Sequence, residues 1–89
     1  MLAALKRQCR VDFDDDDRLL EACLEAAREE TVRLTGRTPS ELLDLGEGDL
    51  PAPLRQAVLI RAAQFYSQPE GTEKPNALYY SLVRTYQVI

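Results

Sequence analysis

The 89-residue chain has no histidine and no tryptophan, a single methionine and only two cysteines. The missing histidine removes the commonest general base near neutral pH and the commonest metal ligand together. Ser67 and Ser81 stand beside no recognisable partner base, so no nucleophile–base pair emerges and no enzyme is expected. Cys9 and Cys23 form no CxxC pair and follow no secretory signal. They are expected as reduced, partly buried thiols and not as a disulfide. Long apolar runs are also lacking: the opening Met1–Leu5 stretch is too short for a signal peptide, and nothing spans a bilayer. Basic residues are outnumbered, and the net charge of −4 argues against a dedicated nucleic-acid binder, which needs a positive surface.

What remains is helical periodicity, strongest between Pro51 and Gln68. Leu54, Val58, Ala62 and Phe65 recur at helical spacing, and Leu59, Ala63 and Tyr66 widen the stripe. Arg61, Gln64 and Gln68 are expected on the opposite side, although Ala57 and Ile60 make even that side partly apolar. A helix apolar over this much of its girth is packed on several sides. Pro51 and Pro53 mark its start, where a missing N–H costs little, and Pro69 with Gly71 marks its end.

The remaining segments are narrower amphipaths. Leu2, Leu5 and Cys9 share one face of a short opening helix with no side-chain N-cap, and Lys6 and Arg7 suit its C-terminal dipole. The run Asp12-Phe13-Asp14-Asp15-Asp16-Asp17 places carboxylates at alternate positions, as a calcium loop does. That loop also requires glycine at its sixth position and glutamate at its twelfth, where Asp17 and Cys23 stand here. The run is instead expected to cap the next helix through Asp14 or Asp15, with its surplus charge forming an acidic patch. That helix spans Asp15 to Thr35, buries Leu20, Cys23 or Leu24, Ala27, Thr31 and Leu34, and stops at Gly36. Asp14–Arg18, Glu25–Arg28 and Glu29–Arg33 are spaced for ion pairs along its wet side.

Thr38-Pro39-Ser40-Glu41 is a capping box launching a short helix through Leu42, Leu43 and Leu45. Gly46 and Gly48 mark the following loop. After a polar loop, residues 69–75, in which Gly71 and Lys74 do not complete a phosphate-binding motif, Asn76 is placed to cap a last helix. Leu78, Leu82 and Tyr86 are expected on its buried face, flanked by Tyr79 and Val83. The sum is an all-α fold: a small bundle of four to five helices around the central apolar helix at about residues 51–68, with 1–89 as one domain.

Two surface features suggest contacts. Lys6, Arg7 and Arg10 lie just before Asp14, Asp15, Asp16 and Asp17, so the basic end of one copy can meet the acidic end of the next. Such a head-to-tail contact makes a ring when its rotation closes. Tyrosines gather in the last third, with Tyr79 and Tyr80 the candidates for an interface. The apolar ending Tyr86, Val88 and Ile89 reads as a docking tail.

The order of these signals resembles the head–tail connector (adaptor) proteins of tailed bacteriophages and related gene transfer agents. The resemblance rests on Leu5-Lys-Arg-Gln-Cys-Arg-Val-Asp12, the acidic stretch, a long helix closing on Leu34-Thr-Gly-Arg37, and Leu50-Pro-Ala-Pro-Leu-Arg-Gln-Ala-Val-Leu59. It continues in Ala63-Gln-Phe-Tyr66 and Val83-Arg-Thr-Tyr86, so that it covers nearly the whole chain. Segment 36–50 is brief beside longer members, which insert strands there. The resemblance implies a virion component at the head–tail junction, present in the bacterial cytoplasm during assembly, with no cofactor. It implies a ring, typically twelve-fold, whose partners are its own copies, the portal protein above and a tail or stopper protein below. DNA passes through such a ring without sequence-specific binding, and no membrane is involved. The alternative is a small cytoplasmic helical regulator binding another protein or DNA.

Overall fold

The structure, a computed structural model, describes residues 1–67 and 74–88. Among these, five helices and no strand follow in order: α1 (Leu2–Cys9), α2 (Asp17–Thr35), α3 (Pro39–Leu45), α4 (Ala52–Ser67) and α5 (Ala77–Arg84). This is the expected all-α bundle. Gln68 and the expected stop at Pro69 and Gly71 lie outside the described residues.

α4 takes the centre because little of its circumference is polar. Leu54, Ala57, Val58, Ile60, Arg61 and Ala62 are all buried, and at about 100° per residue they wrap more than half the helix. α2 covers the largest part of it, with α5 and α1 on the remaining sides. The small side chains of Ala27, Ala57 and Ala62, none of them exposed, let the backbones approach closely.

One residue of this helix departs from expectation. Arg61 follows Leu54 by two turns and therefore points inward, not to the far side. Its Nε donates to Glu30 Oε2 at 3.0 Å, and its Nη1 donates to Gln64 Oε1 at 3.2 Å. The guanidinium carbon lies 4.4 Å from the Phe65 ring centroid. A planar, delocalised cation suits this buried position, where it has both a carboxylate and an aromatic face.

α2 buries Leu20, Cys23, Ala27, Thr31 and Thr35, with Leu34 only half-buried. The two threonines are tolerated inside because their hydroxyls bond back to the helix: Thr31 Oγ1 to the Ala27 carbonyl at 2.7 Å and Thr35 Oγ1 to the Val32 carbonyl at 2.6 Å. Both cysteines are free, Cys23 buried and Cys9 half-buried, and burial pushes both thiols above their usual range.

The caps are met where a single residue carries the signal. Gly36 ends α2 at φ 72, a left-handed conformation. Thr38 and Glu41 form the reciprocal capping box, and the Asn76 side chain accepts from the Tyr79 N–H at 2.9 Å. The expected cap of α2 by Asp14 or Asp15 is not made. Its N-cap is Asp16, with no side-chain cap hydrogen bond, because the carboxylates of this run are drawn to other partners.

α5 rotates relative to the expected face. Tyr79 and Val83 are the buried pair, Leu82 and Tyr86 are half-buried, and Leu78 is exposed. The Tyr79 ring fills the space against α2, where its hydroxyl lies 2.8 Å from Thr31 Oγ1. A residue one position earlier points about 100° away.

Candidate functional site

Three surface features surround this core, and each is built from residues the sequence marks. The first is the corner where α1 ends and α2 begins. Arg10 closes α1 in the left-handed conformation at φ 58, while the Val11 N–H returns to the Lys6 carbonyl at 2.9 Å. This turn swings the acidic run back over α1. Lys6 Nζ then bridges Asp14 Oδ1 at 2.7 Å and Asp17 Oδ1 at 2.8 Å. The hydrogen bond from Lys6 holds the Asp14 carboxyl below the usual range, and the bonds to Asp14 and Asp17 raise the ammonium pKa. Asp16 Oδ2 accepts from the Tyr66 hydroxyl at 2.6 Å, a bond that pushes the phenol upward.

Of the basic and acidic groups that are candidates for a contact between copies, Lys6 pairs with Asp14 and Asp17 inside one chain, because α1 and α2 meet at this corner. Arg7 and Arg10 remain exposed beside it, as do Asp12 and Asp15, with no ion pair among the described residues. Phe13 is half-exposed at the tip of this acidic loop. Sequence reasoning passed over Phe13; its signal was an aromatic with carboxylates on both sides and no helical position to bury it.

The second feature is a groove of about 340 Å³ between α2 and α3, lined by Arg28, Glu29, Val32, Arg33, Pro39, Leu43 and Leu50. α3 hardly touches the other helices. Leu42 is its buried anchor, which leaves Leu43 and Leu45 exposed.

The third is the C-terminal strap. The last carbonyls of α2 have no partners within the helix, and the chain end supplies them. The Val88 N–H donates to the Thr35 carbonyl at 2.8 Å, and Gln87 Nε2 donates to the Leu34 carbonyl at 3.1 Å. Arg37 Nε donates to the Tyr86 carbonyl at 2.7 Å. The apolar tail therefore docks its backbone on its own α2, while the Val88 side chain stays more than half exposed. Ile89 lies outside the described residues.

Among the described residues no group of histidine, cysteine or carboxylate side chains is gathered to hold a metal ion, and no helix is long and apolar enough to cross a membrane. A helical chain with this order of elements is matched from residue 1 to residue 87 by the model of a family, the phage gp6-like head-tail connector protein. The chain belongs to that family. No curated protein and no solved structure matches it. The connector is thus a structural component of a phage, joining head to tail, and this family is not an enzyme class.

Of the candidate contact residues in this connector, Tyr79 is fully buried in the core of its own chain and has no surface to offer a neighbour. Tyr80, whose ring packs edge-on against it at 5.8 Å between centroids, is the exposed member of the pair.

Proposed function

We propose that the chain acts as one helical unit whose copies form a ring at the head–tail junction, twelve-fold as is typical of such connectors. The ring sits beneath the portal protein and above a tail or stopper protein, and the genome passes through its centre. The observation that carries this reading is the connector-family match over residues 1–87. Three further observations support it. The net charge of −4 disfavours a grip on the phosphate backbone, which a conduit must avoid. Phe13, Leu43, Leu45, Leu78, Tyr80 and Val88 stay exposed, apolar side chains that a partner can cover. Arg7, Arg10 and Asp15 are exposed with no ion pair among the described residues, and we assign them, with Tyr80, to surfaces facing a neighbour, the portal or the channel.

The test is light scattering coupled to size exclusion over a wide concentration range, with negative-stain imaging, for the free protein and after mixing with the portal protein of the same phage. A closed ring with a central hole, free or on the portal, is expected. A monomer that also fails to bind the portal overturns the reading. Val88→Asp probes the tail: it keeps the backbone bond to Thr35 but changes the outward side chain. Portal binding should fall while folding is kept; unchanged binding removes the tail from the contact.

A further inference from the structure

The acidic loop and the groove between α2 and α3 complement each other in charge and apolar character, and neither is filled among the described residues. We propose that the 12–15 loop of one copy seats in the α2–α3 groove of the next, with Phe13 as its apolar plug. This rests on the self-assembly proposed above and names the surfaces that carry it.

The loop offers an aromatic ring half in solvent between Asp12 and Asp14. Asp14 is held by Lys6, which fixes the loop, while Asp12 and Asp15 have no ion-pair partner among the described residues. The groove offers the opposite set. Val32, Pro39, Leu43 and Leu50 give it an apolar lining, and its volume of about 340 Å³ is ample for a benzyl group. Arg28 and Arg33, both exposed, also line it and have no ion pair among the described residues, against the single negative charge of Glu29. Among the described residues, the polar contact of Arg28 is to Met1 Sδ at 3.5 Å.

Position makes the contact intermolecular. α2 runs straight from the loop to the groove, and Val32 lies about 22 Å along the axis from Asp17. A chain cannot fill its own groove across that distance. The neighbour's loop can, and because different patches meet, the contact is head-to-tail and closes into a ring when its rotation allows. The arginines nearest the loop, Arg7 and Arg10, sit at the same corner as the loop itself and do not provide an opposite end.

The test is cysteine cross-linking between two variants in a Cys9→Ala, Cys23→Ala background, one carrying Phe13→Cys and the other Leu43→Cys. They are mixed and mildly oxidised, both as free protein and bound to the portal. Pairing Phe13→Cys with Leu78→Cys, exposed on α5 outside the groove, serves as control. The 13–43 dimer should form in large excess over the 13–78 dimer. With the native cysteines retained, Arg28→Glu with Arg33→Glu should weaken self-association by about tenfold or more. Adding Asp12→Arg and Asp15→Arg should restore it. Assembly without the 13–43 cross-link, or without charge rescue, overturns this contact and leaves the ring standing. No assembly of the unsubstituted chain, free or portal-bound, overturns both.

Discussion

Thr31 and Tyr79 form a buried pair whose two hydroxyls are not equivalent. Thr31 Oγ1 already directs its only proton to the Ala27 carbonyl at 2.7 Å, so the Tyr79 hydroxyl donates to Thr31 across 2.8 Å. Both side chains are shielded from water. Tyr79→Phe removes the donor and leaves Thr31 bonded to Ala27, which should cost about 0.5–1.5 kcal/mol, the net worth of one hydrogen bond. Thr31→Val keeps the shape but strands the Tyr79 hydroxyl, and should cost about 1–3 kcal/mol, the larger penalty of an unsatisfied buried group. The double variant removes both polar partners, so its cost should fall below the sum of the single ones by about 1 kcal/mol. Urea unfolding below the assembly concentration measures all three, and each kcal/mol corresponds to about 4–8 °C in Tm for a chain of this size. Burial also raises the Tyr79 phenol above its ordinary value of 10.0. Its stabilising effect is therefore complete below that value, where the unfolded phenol is still neutral, and is lost as pH rises through the folded value. Tyr79→Phe should accordingly lose less stability above pH 10 than the parent chain. Additive single costs, or a Thr31→Val variant as stable as the parent, would refute this assignment of donor and acceptor.

Two glycines should fail for different reasons. Gly36 sits at φ 72 and an added methyl meets nothing closer than Val88 Cβ at 3.7 Å, so Gly36→Ala should cost only the left-handed penalty of about 1–2 kcal/mol. Gly46 has an ordinary φ of −98, yet a methyl there would collide with the Asp49 carbonyl oxygen and the Leu50–Pro51 backbone. Gly46→Ala should therefore destabilise more than Gly36→Ala, and calorimetric Tm values showing the reverse order would contradict the geometry of the α3–α4 turn. At the N-terminal corner, Lys6 lowers the Asp14 pKa. The stability this pair supplies is present above the ordinary carboxylate value of 3.8 and fades as pH falls through the lowered one. Carboxyl NMR titration of Lys6→Gln should show the Asp14 midpoint moving up toward 3.8; an unmoved midpoint would show that the ion pair is not formed in solution.

The sequence by itself determined the elements whose signals are local. Gly36, the Thr38–Glu41 box and Asn76 act within three or four residues of themselves, so their caps were legible without knowing what packs where. The apolar girth of α4 likewise announced a central helix, since few of its positions can tolerate water. The resemblance to head–tail connectors was carried by the order of those same pieces, and the family match covers the same span.

Only tertiary structure decided where charges and aromatics go. Arg61 reads as solvent-facing until Glu30, from another helix, is placed beside it. Asp14 and Asp17 read as cap and patch until the turn at Arg10 brings Lys6 within 2.8 Å. Tyr79 and Tyr80 are neighbours in sequence, both candidates there for an interface. The docking angle of α5 on α2 buries one at Thr31 and leaves the other exposed. In each case the deciding partner lies on another element, at a distance set by packing of apolar faces, and a partner set by packing leaves no mark on the residues either side of the group it binds.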